Sequence, residues 1–507
     1  MKKQATIALF ACGMAAGAAQ AAMTLSPRGT GQVLLYPAYT TIKDQSTLVT
    51  LVNDGDRAKA VQLTFREGFR GRDVLSLRVF LGPRDAWNAT VFQIWTLARD
   101  PGLISNDRSC VAPLNIGGTP QLPDGRRYWQ FSRTYSGDIN PTLPGYRLEQ
   151  GNIEAIEQGE IKAGTALMNA VTAANGAAPA CAGVENADLS TLLDPPGGGL
   201  YGAFSLVNAA AGTILSGNAT AIDGFSVTSL GGLPVVDLAQ GRTSANTSDP
   251  VEAHVDVGGR RVAVKYPRDR AIDAVSALLM VDTLSGEFVI DPNAGAKTDW
   301  VLTMPTRRYY ADSTSSAVAP VLREPFLIRS NRGSPGYCSY YEADVRDRDQ
   351  RAIVPRETYL LPTTVAARDV QSPEFLGPFP PSRSTHALCN DSEAVAFSRY
   401  VDVPGAFRGS GVVQYAQIFE LVDAASGIDG GIARLRLGMP DPNGAAGTAT
   451  TPSVLPAGVE GPALRGMPVI GFEATRYVNG TINYTSAVPL RSSAACATDV
   501  GAVASCP

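Results

Sequence analysis

The chain has 507 residues, 44% of them hydrophobic and 18% charged, which suits a globular protein of more than one domain. Its formal net charge is -4, and removal of Lys2 and Lys3 with a leader makes that -6. An acidic whole disfavours nucleic acid or an anionic membrane as partner. No segment beyond the leader has the eighteen uninterrupted apolar residues of a transmembrane helix.

The chain opens "MKKQATIALFACGMAAGAAQAAM". Lys2 and Lys3 form a positive n-region, Ala5 to Ala18 a small apolar h-region, and Ala19-Gln20-Ala21 the small residues of a cleavage site. A signal peptide over 1–21 is therefore expected, with export to the cell surface, the medium or the periplasm. A rival reading makes Leu9 to Cys12 a lipoprotein box. Six cysteines follow: Cys110, Cys181, Cys338, Cys389, Cys496 and Cys506. In an oxidising compartment disulfides are the default. Neighbour pairing (Cys110–Cys181, Cys338–Cys389, Cys496–Cys506) is one of fifteen sets.

The mature chain begins with two short strand patterns, "GQVLLYPAYT" and "STLVTLVN". Next comes "AVQLTFREGFRGRDVLSLRVFLGPRDAW", rich in arginine. Val61, Leu63 and Phe65 alternate with Gln62, Thr64 and Arg66, and Leu75, Leu77, Val79 and Leu81 alternate with Ser76, Arg78 and Phe80. This period of two predicts strands with one apolar face. It places Arg66 and Arg78 on the solvent face and Arg70, Arg72 and Arg84 in loops. Glu67, Asp73 and Asp85 offset the charge, so an ordinary sheet surface is expected here rather than a polymer-binding patch.

Further on, "GNIEAIEQGEI" reads as strand and "KAGTALMNAVTAANG" as the best helix, with Leu167, Met168 and Val171 on one face. "LYGAFSLVNAAAGTILSGNATAIDGF", "VSALLMVDTLSGEFVIDP", "TDWVLTMPTRRYYAD", "GVVQYAQIFELV", "GGIARLRLGMP" and "GMPVIGFEATRYVNG" continue the strand pattern. Ser372–Ser384 and Pro440–Pro462 read as long loops or linkers. The expected class is mainly β: sandwich or jelly-roll-like domains over 22–250 and 251–507, with one minor helical segment.

Chemical motifs are sparse. With only His254 and His386, and no G-x-S-x-G, a serine hydrolase has little to work with. His386 and Cys389 with Cys338 have the types to ligate zinc, but disulfides are the simpler expectation, and no metal or cofactor is expected. Gly197, Gly199 and Gly202 match G-x-G-x-x-G, yet Pro195 and Pro196 precede them and no helix pattern follows, so a turn is expected. "YYEADVRDRDQ" interleaves Glu342, Asp344, Asp347 and Asp349 with Arg346, Arg348 and Arg351, which reads as a self-neutralised surface rather than a calcium loop.

"VLSLRVFLGPRDAWNA", "GGLYGAFSLVNAAAGT", "KTDWVLTMPTRRYY" and "GMPVIGFEATRYVNG", with the cysteine contexts "NDRSC" and "ALC", resemble a group of exported proteobacterial proteins described only as cell-surface or hypothetical. The resemblance implies export and one shared architecture. It implies no reaction, cofactor or substrate. The expected role is structural or binding, with envelope or extracellular proteins or glycans as partners. A carbohydrate-active hydrolase on a β scaffold is one alternative. A fibre subunit donating "GQVLLYPAYT" by strand exchange is another.

Overall fold

The computed structural model describes residues 21–42, 45–68, 70–94, 100–114, 120–133, 145–172, 179–234, 236–291, 295–312, 321–326, 339–353, 355–360, 385–388, 390–397, 416–421, 428–440, 452–479 and 482–497. The fold is mainly β. Its first sheet has ten strands. From one edge these are Arg260–Tyr266, Val251–Val257, Met23–Leu25, Thr220–Asp223, Val33–Thr40, Gln150–Ile161, Lys59–Glu67, Asp73–Leu81 and Cys110–Ala112, with Leu193–Asp194 pairing to Gln150–Ile161. Met23–Leu25 runs parallel to Val251–Val257, with Met23 opposite Ala253. The strand that follows position 250 thus extends a sheet built from residues before it.

A second sheet of six strands runs Thr213–Asn218, Leu200–Asn208, Gln45–Asn53, Ala86–Ile94, Asp100–Ile104 and Trp129–Gln130. It packs face to face on the first. Leu63, Phe65, Leu77 and Val79 of the first sheet share a core with Val49, Leu51, Trp87 and Phe204 of the second. The sandwich and the apolar face read from period two are therefore present. A third sheet of twelve strands gathers the C-terminal half, centred on Gly430–Met439, Thr283–Asp291 and Ala296–Thr303.

The first sheet is a middle layer. In Val33–Thr40 every residue is buried. Leu34 and Tyr36 face the second sheet, while Val33 and Leu35 join a core shared with the third sheet and a helix, Ala271–Leu279. That helix replaces the strand expected in "VSALLM". Eight of its nine residues are buried. Its Asp273 and Ser276 share one side, but a short run such as "VSALLM" cannot be told from a buried strand by pattern alone. The expected helix near Leu167 spans Ala166–Val171, capped by the Thr165 side chain, which accepts from the Met168 N–H.

The middle-layer position also corrects the reading of Arg66 and Arg78. Arg66 is 3% exposed and Arg78 is half-buried, its Nε donating to Gln158 at 2.9 Å. Arg72, expected in a loop, is buried as well. Alternation separates two faces of a strand, but a polar face wets only where nothing covers it. Residues 372–384 and 441–451 lie outside the described residues. The rest of the Pro440–Pro462 segment is partly folded: Val454–Leu455 is a strand, and Leu455 is fully buried.

Candidate functional site

Three neighbouring strand ends carry a buried charge network. Gln150–Ile161 contributes Glu154, 1% exposed, and Lys59–Glu67 contributes Arg66 and Glu67. The turn after Ala296–Thr303 contributes Arg307 and Arg308. Glu154 is the centre. Its Oε2 lies 2.8 Å from Arg66 Nε and its Oε1 2.7 Å from Arg308 Nη1. Arg66 also pairs with Asp73, and the Arg308 guanidinium stacks over the Tyr309 ring at 4.1 Å. Burial pushes the Glu154 carboxyl up, but Arg308 and Arg66 outweigh it and hold it below its ordinary value. A carboxylate so held cannot donate a proton near neutrality, so Glu154 is a clamp between guanidiniums.

Two further pairs flank it. Arg147 Nη2 lies 2.7 Å from Glu67 Oε1, which also accepts the Arg70 backbone N–H at 2.9 Å. Arg307 Nη1 lies 2.9 Å from Asp391 Oδ1. Burial pushes the Asp391 carboxyl up to about 6, against Arg307 and with the repulsion of Glu67. Gly71, in the left-handed region at φ +66°, lets the loop lie against Asp391, because a Cβ there would sit 2.2 Å from Asp391 Oδ2. Ser392, next along the chain, places its Oγ 2.9 Å from Thr303 Oγ1.

A second network lies further along the same strand. Glu157 is fully buried and pairs with Lys59 Nζ at 2.8 Å. The backbone N–H groups of Gly197 and Gly198 each donate to its carboxylate at 2.9 Å. The glycine turn does cradle an anion, as backbone nests do. That anion is the chain's own Glu157. Burial raises the Glu157 carboxyl, opposed by Lys59 and the two glycine N–H groups.

Comparison with protein-family models, curated proteins and solved structures finds no match.

Cys110 and Cys181 form a disulfide that joins the Cys110–Ala112 strand to the turn Cys181–Gly183 across 71 residues. Cys110 sits in a small core with Phe80, Leu167 and Val184. Cys496 is also disulfide-bonded. Cys338, Cys389 and Cys506 lie outside the described residues. A cleft of about 420 Å³ opens beside the bridge, lined by Arg108, Arg126, Arg127, Trp129, Ser109 and Cys181 among others. Trp129 is held by its Nε1, which donates to the Pro113 carbonyl at 3.1 Å.

His254 is partly exposed, with Nε2 2.9 Å from Glu252 Oε1. His386 lies on the strand Thr385–Leu388. The acidic run is self-neutralised: Asp344 pairs with Arg346, Asp347 with Arg351, and Arg348 with Asp429. Sequence reasoning passed over Glu154, Glu157, Lys59, Arg147, Arg307, Arg308 and Asp391. One signal was present. "GNIEAIEQGEI" puts three glutamates on a strand with Ile153, Ala155 and Ile156, and acids inside an apolar strand need buried cations.

Proposed function

We propose that the chain is an exported protein of the cell envelope or the extracellular space, with a structural or binding role. The observation that carries this is the Cys110–Cys181 bridge set into the small core, with Cys496 oxidised as well. Structural disulfides persist in oxidising compartments. The leader pattern and the resemblance to exported proteobacterial proteins support the same reading. The cleft beside the bridge is the binding surface it favours. Trp129 there would meet a planar or sugar-like face, with the polar side chains of Asp107, Arg108 and Ser109 beside it. The test is cell fractionation with N-terminal sequencing. Recovery in the envelope or medium, beginning at Ala22, is expected. A cytoplasmic chain with free Cys110 and Cys181 thiols would overturn the proposal.

The hydrolase alternative keeps one observation in its favour. Half-burial raises the Glu473 carboxyl beside Glu287, whose backbone N–H donates to it at 3.2 Å. Glycosidic turnover that Glu473→Gln abolishes in a folded protein would promote that alternative. Strand donation has less support, since Val33–Thr40 is hydrogen-bonded on both sides within its own sheet.

A further inference from the structure

The chain has seven lysines, of which Lys2 and Lys3 lie in the leader and Lys43 outside the described residues. Three of the other four are occupied. Lys59 pairs with Glu157 and Glu160, Lys265 pairs with Glu460 and Glu252, and Lys162 Nζ donates to the Thr191 carbonyl at 2.7 Å. Lys297 has no such partner among the described residues. It is half-buried on Ala296–Thr303, and the strand register sets it directly opposite Arg476 of Ile470–Asn479. Like charges so placed repel.

Arg476 is itself short of acceptors. Its Nε is buried with no hydrogen-bond partner, and its Nη2 reaches Asn483 Oδ1 only at 3.5 Å. Asn483 is held in turn by its Nδ2, which donates to the Ala211 carbonyl at 2.7 Å, just before Thr213–Asn218. One carboxylate, Asp299, shares the Lys297 face two residues along the strand, and it is fully buried. Two partly exposed cations thus face each other across neighbouring strands, and neither has an ion pair among the described residues.

We propose that Lys297 and Arg476 form a site for a small aldehyde or ketone that carries a carboxylate or phosphate. The guanidinium holds the anion, and the amine forms an imine with the carbonyl. An anion set between the two cations relieves their repulsion and gives the guanidinium the acceptors it lacks. Burial holds the Lys297 ammonium below the ordinary lysine value, against the pull of Asp299 and with the repulsion of Arg476. More of it is therefore the neutral amine, whose lone pair is the nucleophile. Nζ attacks the carbonyl carbon and the C=N bond forms. The carbonyl oxygen leaves as water with the two protons that the nitrogen gives up, so no oxidant or reductant is consumed and water reverses the step. Lys265 contrasts with this, because its bond to Glu460 holds its ammonium above the ordinary value.

The experiment exposes the full mature chain briefly to pyridoxal phosphate, fixes imines with cyanoborohydride and maps the labelled peptides. Lys297 should be labelled at least about fivefold faster than Lys162 or Lys265. Pyridoxal, which lacks the anion, should label Lys297 at least about fivefold more slowly than pyridoxal phosphate does. Arg476→Gln should erase that second ratio while Lys297 still reacts, and Lys297→Arg should remove the label, with circular dichroism unchanged. Protection of Lys297 by glyoxylate supports a carboxylate-bearing ligand, and protection by inorganic phosphate supports a phosphate-bearing one. The parent protein decides the matter even where a variant fails to fold. Labelling of Lys297 no faster than of Lys162 and Lys265, equal rates with pyridoxal and pyridoxal phosphate, or protection by neither anion would each overturn the proposal.

Discussion

Replacing Glu154 with glutamine tests whether the buried charge network holds the chain's two halves together. The side chain is 1% exposed and serves Arg66 at 2.8 Å and Arg308 at 2.7 Å. Glutamine keeps the volume and one acceptor but removes the charge. Arg66 retains Asp73, at the surface end of the network. Among the described residues Arg308 then keeps contacts with neutral groups, the Pro305 carbonyl and the Tyr309 ring and hydroxyl, with Asp73 and Asp391 as more distant counter-charges. Removing one member of a buried pair costs about 3–5 kcal/mol, chiefly because the surviving charge stays desolvated. With one guanidinium still half-compensated, about 4 kcal/mol is expected from urea denaturation followed by far-ultraviolet circular dichroism. The triple change Arg66→Met, Glu154→Leu, Arg308→Met removes all three charges, and should recover most of that loss. A Glu154→Gln protein within about 0.5 kcal/mol of the parent would refute the argument, because only surface changes are that mild.

The Asp391 carboxyl is raised from 3.8 to about 6, so the folded state binds a proton that the unfolded state has already lost. Its contribution to stability therefore falls by about 3 kcal/mol as pH rises from about 4 to about 6, and Asp391→Asn should flatten denaturation midpoints over that window. Reducing Cys110–Cys181, which closes a loop of 71 residues, should cost about 4 kcal/mol by the chain-entropy account, measured as the difference between the parent and a Cys110→Ser, Cys181→Ser double variant. Leu77→Asp should unfold the sandwich, since Leu77 is 1% exposed in the core between the first two sheets, whereas Arg78→Gln should cost no more than the half-buried bond to Gln158; expression yield and melting distinguish them.

Period-two alternation was legible wherever one face met the sandwich core, as at Val61, Leu63 and Phe65. It carried no information about what covers the opposite face. Gln62, Thr64 and Arg66 look the same in sequence whether they meet water or another layer, and here the layer includes Arg308, some 240 residues away. Spacing left fifteen sets open, and the Cys110–Cys181 pairing belongs to the one that neighbour order picks. Helix Ala271–Leu279 was lost because a short apolar run fits a buried strand as well as a helix. The glutamates of the networks around Glu154 and Glu157 left a trace in "GNIEAIEQGEI", but their partners did not. Their cations come from Lys59, Arg66 and Arg308, and only the fold brings those to one strand.

The parallel pairing of Met23–Leu25 with Val251–Val257 has a bearing on how the molecule is made. A ribosome adds about 5–20 residues each second, so Met23 waits roughly 10–50 seconds before its partner Ala253 exists. Val33–Thr40 waits similarly for Thr220–Asp223, and its Pro37 carbonyl waits longer still for the Thr303 hydroxyl that donates to it at 2.7 Å. Contacts this distant along the chain are slow to form and leave apolar strand edges open meanwhile. The strand order therefore holds back completion of the first sheet until the chain beyond residue 250 has been made.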